Sequence, residues 1–152
     1  MKKSILITGG TGAIGSALSE TLYNNKITPI ITFNQNKEKA IRLSKKYFSP
    51  CFYLNLQDES SIIKMVDNII LEEVNLVGVI LCASPSLTIE PFTKINNDQI
   101  KKQLDINVIG NHKLLSILIK KIFRKTKNGL VIGVLSESMG EPLNASMKSM
   151  TP

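Results

Sequence analysis

The sequence has few of the residues from which metal and hydrolytic sites are built. It contains one histidine, His112, and two cysteines, Cys51 and Cys82. With a single histidine, a zinc site or a Ser-His-Asp triad has almost nothing to be built from, which excludes histidine-based hydrolysis. The cysteines lie far apart in apolar contexts, and this predicts two buried, reduced thiols with no disulfide and no metal.

Long apolar runs are also missing. No stretch approaches the roughly 20 residues of a membrane span, and the N-terminus lacks the apolar core and cleavage site of a signal peptide. The composition, 43% hydrophobic and 20% charged over 152 residues, is ordinary for one globular domain and excludes a disordered chain. We therefore expect a single domain over residues 1–152, cytoplasmic and with no membrane partner.

Charge is unbalanced towards basic residues. The net charge of +7 arises from 19 Lys and Arg against 12 Asp and Glu, and most lysines fall between Lys37 and Lys46 or between Lys113 and Lys127. Such a chain attracts anions. Phe123 is the single aromatic residue within these two stretches, too few for a stacking platform, so the pattern favours solvated helix faces and predicts no nucleic-acid partner.

Short apolar segments alternate with amphipathic ones along the whole chain. Strands are predicted over Ser4–Thr8, Thr28–Phe33, Phe52–Leu54, Leu76–Cys82 and Gly129–Leu135. Helices are predicted over Gly12–Asn25, Lys37–Tyr47, a segment from the N-cap Asp58 to Leu71, and Asp98–Arg124. Strands joined by helices in this way predict an α/β fold, a doubly wound parallel sheet in three α/β/α layers.

Helical periodicity also predicts which side chains face the sheet. In the first helix these are Ile14, Ala17, Leu18, Thr21 and Leu22. In the second they are Ala40, Ile41 and Leu43, and in the third they are Ile62, Met65, Val66, Ile69 and Ile70.

A glycine-rich loop follows the first strand directly, with the sequence Thr-Gly-Gly-Thr-Gly-Ala-Ile-Gly over residues 8–15. Gly9 permits a sharp turn, Gly12 permits close approach of a pyrophosphate, and Gly15 permits close packing of the next helix. The helix N-terminus then offers N–H groups to phosphates. The loop predicts a dinucleotide-binding site that uses Gly9, Thr11, Gly12, Ala13, Ile14 and Gly15.

This loop resembles the nucleotide loop of the short-chain dehydrogenase/reductase family, whose members bind NAD(P) on a Rossmann fold. The glycine spacing is closer to the extended, epimerase-like branch, because Ala13 stands where the smaller single-domain branch has its second glycine. The rest of the chain resembles the smaller branch. An epimerase-like sugar-nucleotide enzyme is therefore one alternative function.

Later segments are similar to further motifs of the family. Asn55 and Leu56 follow the third strand, where the family has an acid and an apolar residue beside the adenine. Cys82, Ala83 and Ser84 end the fourth strand, where the family has Asn-Asn-Ala-Gly beside the ribose. Only the alanine is shared there. The resemblance therefore implies that the backbone of this segment contacts the ribose, but without the asparagine side chains that support this contact in the family.

Two motifs of the resemblance concern catalysis. Asn107 opens an Asn-Val-Ile-Gly segment that resembles the one carrying the tetrad asparagine, which holds a proton-relay water. Ser136 ends the fifth strand at the position of the family's catalytic serine, with Ser138 as a rival. The resemblance implies that Ser136 stabilises the reacting oxygen and that Asn107 supports the proton relay.

The family's catalytic tyrosine, followed by lysine four residues later, is not found. The tyrosines are Tyr23, Tyr47 and Tyr53, all upstream of the serine strand, and the nearest imitation is Asn144 to Lys148, with asparagine for tyrosine. We expect the chain to continue beyond residue 152 into the catalytic pair, so that the domain is C-terminally incomplete. The alternative is a non-catalytic dinucleotide-binding or sensor protein.

The resemblance implies an oxidoreductase that transfers hydride between nicotinamide and a small carbonyl or alcohol substrate. No acid ends the second strand to bind a ribose 2′-hydroxyl, and Asn34 and Lys37 there favour NADP(H) over NAD(H). The predicted helix 98–124 carries more apolar surface than one sheet face needs, and relatives pair this helix across a two-fold axis. We therefore expect a homo-oligomer, a dimer, through that helix. Its apolar residues are Leu104, Val108, Leu114, Leu115, Leu118, Ile122 and Phe123.

Overall fold

The strands form one parallel sheet. The computed structural model describes residues 2–86 and 91–135. Its strands are β1 (Ser4–Ile7), β2 (Thr28–Phe33), β3 (Cys51–Tyr53), β4 (Leu76–Leu81) and β5 (Leu130–Gly133). They lie in the order β3-β2-β1-β4-β5, and every neighbouring pair is parallel. The predicted doubly wound α/β fold is confirmed.

Helices connect the strands. The first three are α1 (Ala13–Asn24), α2 (Lys37–Tyr47) and α3 (Glu59–Leu71). A continuous helical run over 97–126, named α4 here, precedes β5. Its α-helical parts, Asn97–Leu104, Asn111–Leu118 and Arg124–Thr126, are separated by π-helical turns at Asp105–Gly110 and Ile119–Phe123. Within the described part of the chain, no helix is long and apolar enough to cross a bilayer.

The helices form a layer on each face of the sheet. On one face, Ala40 and Tyr47 of α2 pack against Ile31 and Phe33 of β2. On the other face, α3 and α4 enclose the larger core with side chains of the central strands. The fully buried members of that core are Leu6, Ile30, Ile62, Val66, Ile69, Leu114 and Leu118. Burying this apolar surface is the main term that stabilises the fold.

The predicted inner face of α1 is wrong in part. Ile14 is 56% exposed, and Ala17 and Thr21 are exposed as well. The buried residues of α1 are Gly15 and Ser19, and the Ser19 hydroxyl donates to the Gly15 carbonyl at 2.8 Å. Because these side chains are small, α1 approaches the sheet more closely than a helix that packs on large residues.

Smaller corrections concern single residues. Ile41 and Ile70 are exposed instead of facing the core, because each follows a buried neighbour, Ala40 or Ile69, by about 100° around its helix. The two cysteines are free, as predicted, but both are only half-buried. β3 begins one residue before its predicted start, because Cys51 pairs with Ile31 of β2.

Two lysines of the 113–127 stretch lie against α3. Lys113 pairs with Glu59 at 3.0 Å and Lys121 pairs with Asp67 at 2.5 Å. All four side chains are substantially exposed, so each pair contributes little to stability. The buried apolar residues of the two helices, which belong to one core cluster, set which face of α4 adjoins α3.

Gly110 lets α4 cross close to the loop after β3. A Cβ atom at this position would lie 2.5 Å from the Leu56 carbonyl oxygen and 2.7 Å from the Leu56 Cβ. Both atoms belong to or adjoin the backbone, so neither can move aside cheaply. The absence of a side chain at Gly110 therefore sets the spacing between α4 and the loop after β3.

We expect Gly110→Ala to lower the free energy of unfolding by about 1–3 kcal/mol, because overpacking at a rigid contact outweighs the gain in helix propensity. Gly133→Ala is the matched control, since a Cβ there meets no atom within 4 Å. Urea unfolding of both variants measures the difference. Equal midpoints for the two variants would contradict this account of the helix spacing.

Candidate functional site

A cleft of about 420 Å³ opens at the carboxyl ends of the strands. Its walls come from the segments that follow β1, β2, β3 and β4, together with one face of α4. The chain winds from β1 to β3 in one direction and then returns to place β4 on the other side of β1. Such a reversal point is where open parallel sheets bind ligands.

The glycine loop forms the wall after β1. Gly9 has a φ of +65°, which favours glycine, and a Cβ there would lie 2.9 Å from the Ala83 Cα. The Gly12 N–H donates to the Gly9 carbonyl at 2.9 Å, and Gly12 is the N-cap of α1 with no side-chain capping hydrogen bond. The leading N–H groups of α1 therefore have no side-chain acceptor beside the cleft.

Thr8 holds the glycine loop to the segment after β4. Its buried hydroxyl accepts the N–H groups of Cys82 at 2.9 Å and Ala83 at 3.0 Å. The same hydroxyl donates to the Ile80 carbonyl at 3.4 Å, and the Thr8 N–H reaches that carbonyl at 3.0 Å. Thr8 thus fixes two walls of the cleft relative to each other.

Amide side chains form the wall after β2. Asn34, Gln35 and Asn36 all line the cleft, together with Thr32 and Phe33 of the strand itself. The Asn36 side chain caps α2 by accepting the Lys39 N–H at 3.0 Å. No carboxylate lies on this wall, as the sequence predicts.

A tight turn forms the wall after β3. The Asn55 side-chain oxygen accepts the Gln57 N–H at 3.1 Å, and the Asn55 N–H donates to the buried Ser61 hydroxyl at 2.9 Å. These bonds hold the segment from Leu54 to Gln57 along the cleft. The Asn55 amide NH₂ and one lone pair of its oxygen are left to meet a ligand.

The wall after β4 consists of Cys82, Ala83, Ser84, Pro85 and Ser86. Partial burial raises the pKa of the Cys82 thiol. The thiol is therefore protonated at neutral pH and acts as a small, weakly polar surface rather than a nucleophile.

α4 supplies the last wall through Lys102 and Ile106. Asn107 follows in the π-helical turn, where its side-chain NH₂ donates to Gln103 Oε1 at 2.8 Å. The Asn107 carbonyl accepts the Asn111 side chain at 3.0 Å. Asn107 itself does not line the cleft, and these bonds hold it between a residue one turn before and a residue one turn after it.

The structure gathers most of the predicted binding residues around this one cleft. Those that line it are Gly9, Thr11, Gly12, Asn34, Asn55, Leu56, Cys82, Ala83 and Ser84. Ala13, Ile14, Gly15 and Lys37 do not line it; Gly15 lies beneath the loop, and Lys37 is exposed at the start of α2. Ser136, Ser138 and the segment from Asn144 to Lys148 lie outside the described residues.

Sequence reasoning missed some of the lining residues. Gln35, Asn36 and Gln57 adjoin predicted ones, so extending each loop by a residue finds them. Lys102 and Ile106 come from a distant helix, and the only signal for them is their spacing of eight and four residues before Gly110. No three His, Cys, Asp or Glu side chains of residues 2–86 and 91–135 are grouped to hold a metal ion.

Comparison with known proteins identifies the family. The profile of the short chain dehydrogenase family matches residues 3–147, and the chain belongs to that family. It is 27% identical over 139 residues to the uncharacterized oxidoreductase YmfI of Bacillus subtilis, covering 90% of this chain and 57% of that protein. It is 24% identical over 122 residues to a benzil reductase of Bacillus cereus, covering 76% and 49%. The chain thus spans about half the length of these relatives.

Solved structures show the same fold. ElxO with NADP bound superposes with a TM-score of 0.83 at 23% identity, covering 99% of this chain and 62% of ElxO. A serine dehydrogenase from Escherichia coli superposes with a TM-score of 0.83 at 17% identity, covering 97% and 68%. At these identities the likeness establishes the fold alone.

We expect Thr8→Val to lower the free energy of unfolding by about 1–3 kcal/mol, because two part-buried N–H groups lose their acceptor. Thr8→Ser keeps the hydroxyl and removes only a methyl group, worth about 0.8 kcal/mol. Chemical denaturation of the two variants separates the effects. A Thr8→Val protein as stable as Thr8→Ser would show that the hydroxyl does not hold these walls together.

Proposed function

We propose that the protein is an oxidoreductase that uses NADP(H) to interconvert a small carbonyl substrate and its alcohol. The observation that carries this proposal is the cleft at the reversal point of the sheet, where a glycine loop meets an uncapped helix N-terminus. Membership of the short chain dehydrogenase family supports it. When bound, the cofactor supplies the hydride chemistry, and the protein supplies binding and orientation.

The glycine loop fits a pyrophosphate. Gly12 is exposed at the mouth of the cleft, so backbone N–H groups meet the ligand with no side chain between them. The uncapped first turn of α1 adds unpaired N–H groups and the positive end of the helix dipole. Thr11 lies beside them, while Ala13 and Ile14 contribute through the backbone. Gly15 allows the close packing of α1.

The wall after β2 supports a preference for NADP(H) over NAD(H). A carboxylate there accepts the ribose 2′-hydroxyl of NAD and repels a 2′-phosphate. This wall offers amides instead, with Asn34 in the lining and the Lys37 ammonium at the start of α2. We place Asn55 and Leu56 beside the adenine and Cys82, Ala83 and Ser84 beside the ribose.

The catalytic roles follow from the family resemblance and from the setting of Asn107. We assign stabilisation of the reacting oxygen to Ser136 and support of a proton relay to Asn107. A π-helical turn at Asn107 supports this assignment, because such turns are frequent at functional sites. The rings of Tyr23 and Tyr47 lie with centroids 5.3 Å apart and tilted by 45°, and Tyr53 packs edge-on against Phe33 with centroids 6.0 Å apart. None of these tyrosines lines the cleft, so we assign the proton donor to none of them.

A non-catalytic dinucleotide sensor is the second candidate. The observation that favours it is the lack of any tyrosine followed by lysine four residues later in the sequence. The two functions differ in a direct assay. A sensor binds NADPH without oxidising it in the presence of aldehydes or ketones, whereas a reductase consumes both the NADPH and the carbonyl compound.

The outer face of α4 supports self-association. Leu114, Leu118 and Ile122 face the core, whereas Leu104 and Val108 are 52% and 53% exposed. Ile100 extends the same exposed stripe, and exposed apolar stripes of this kind mark interaction surfaces. We infer a dimer through this face. We also infer a cytoplasmic location, which two unpaired thiols support.

We expect Gly12→Val to weaken NADPH binding by about tenfold or more, because the side chain blocks the approach of the pyrophosphate. Ala17→Val on the exposed side of the same helix is the control and leaves the Kd within about twofold. Isothermal titration calorimetry on the whole protein, with circular dichroism to verify folding, measures both. Undiminished NADPH binding by the Gly12→Val variant would overturn the placement of the pyrophosphate.

We expect Leu104→Lys to convert a dimer to a monomer, because it places a charge in an apolar interface. Leu71→Lys, at an apolar residue 77% exposed at the end of α3, is the control and retains the dimer. Light scattering coupled to size exclusion reports both masses. A wild-type monomer, or a dimer in both variants, would remove α4 as the interface.

A further inference from the structure

Lys102 is the basic side chain that the structure brings to the cleft. It lies on α4 four residues before Ile106, about one helical turn away, and both residues line the cleft. Further along α4, Gly110 lies against Leu56, which brings this helix to the segment after β3. Lys102 joins the same lining as Asn34 and Asn36.

The charge of Lys102 is not neutralised within the described residues. The preceding Lys101 pairs with Asp105 at 2.6 Å, whereas none of the ion pairs found there includes Lys102. Among residues 2–86 and 91–135, the cleft lining contains no aspartate or glutamate. A free ammonium beside a row of amides makes this end of the cleft attractive to an anion.

We propose that Lys102 binds the 2′-phosphate of the cofactor and is a specificity-determining residue for NADP(H), an inference that rests on the function proposed above. An ammonium on a flexible four-carbon stem suits a phosphate as a point charge. The amides of Asn34 and Asn36 supply neutral donors, and Lys37 lies outside the lining. Lys102 therefore supplies positive charge to the same cleft from α4.

The test compares Lys102→Met with Lys101→Met in the whole protein. Both variants remove one positive charge from neighbouring positions of the same helix, but Lys101 does not line the cleft. We expect Lys102→Met to raise the Kd for NADPH about tenfold and that for NADH less than twofold, since the lost contact is to a charged group. Lys101→Met leaves both values within twofold. The salt dependence of NADPH binding becomes shallower in Lys102→Met alone.

Three outcomes would overturn the proposal. If Lys102→Met weakens NADPH and NADH binding equally, Lys102 contacts the base or the pyrophosphate instead. If it weakens neither, Lys102 is not part of the binding site. If Lys102→Met and Lys101→Met have equal effects, the lysines attract the cofactor only through general electrostatics. Measuring the Kd values of the same variants for 2′,5′-ADP and 5′-AMP repeats the comparison with the adenosine end of the cofactor alone. Melting temperatures of the variants verify that they fold. Failure of the wild-type protein to bind either cofactor would instead overturn the proposed function itself.

Discussion

The hydroxyl of Thr8 is the interaction on which the cleft depends. At the carboxyl ends of β1 and β4 the chain leaves the sheet, so the N–H groups of Cys82 and Ala83 lose their ladder partners. The Thr8 oxygen accepts both and donates its own proton to Ile80, which uses its full hydrogen-bonding capacity. An unpaired buried N–H group is costly. This one side chain therefore fixes the glycine loop against the segment after β4.

The second constraint is the close approach of backbone segments, both at the carboxyl edge of the sheet and between α1 and the sheet. The first of these can be predicted from sequence and the second was not. The alternation of apolar strands with helices determines a parallel sheet, and the residues after each strand must then meet at one edge. Asn34, Asn55 and Ala83 lie in the segments that follow β2, β3 and β4, and all three line the cleft. The prediction for α1 failed because periodicity of apolar residues assumes large side chains at the contact. The face of α1 that packs is instead the one with Gly15 and Ser19.

α4 shows why the rest of the site is not readable from sequence. Its inner residues complete the core, its N-terminal part lines the cleft with Lys102 and Ile106, and its outer stripe is exposed. Two π-helical turns separate the α-helical parts of α4, and each turn changes which residues share a face of the helix. Contact between α4 and the loop after β3 is set by Gly110 of α4, which lies far from Leu56 in sequence.

The electrostatics of the cleft limit how it can discriminate between cofactors. Its lining has amides and one ammonium, with no carboxylate among the described residues. A carboxylate would repel a 2′-phosphate and would accept the ribose 2′-hydroxyl of NAD(H), so its absence acts against NAD(H) and removes a barrier to NADP(H). In the function proposed above, a further preference for NADP(H) comes from attraction, through Lys102 and the amides after β2. Attraction of this kind is screened by salt, so the preference for NADP(H) should narrow as ionic strength rises while NAD(H) binding changes less.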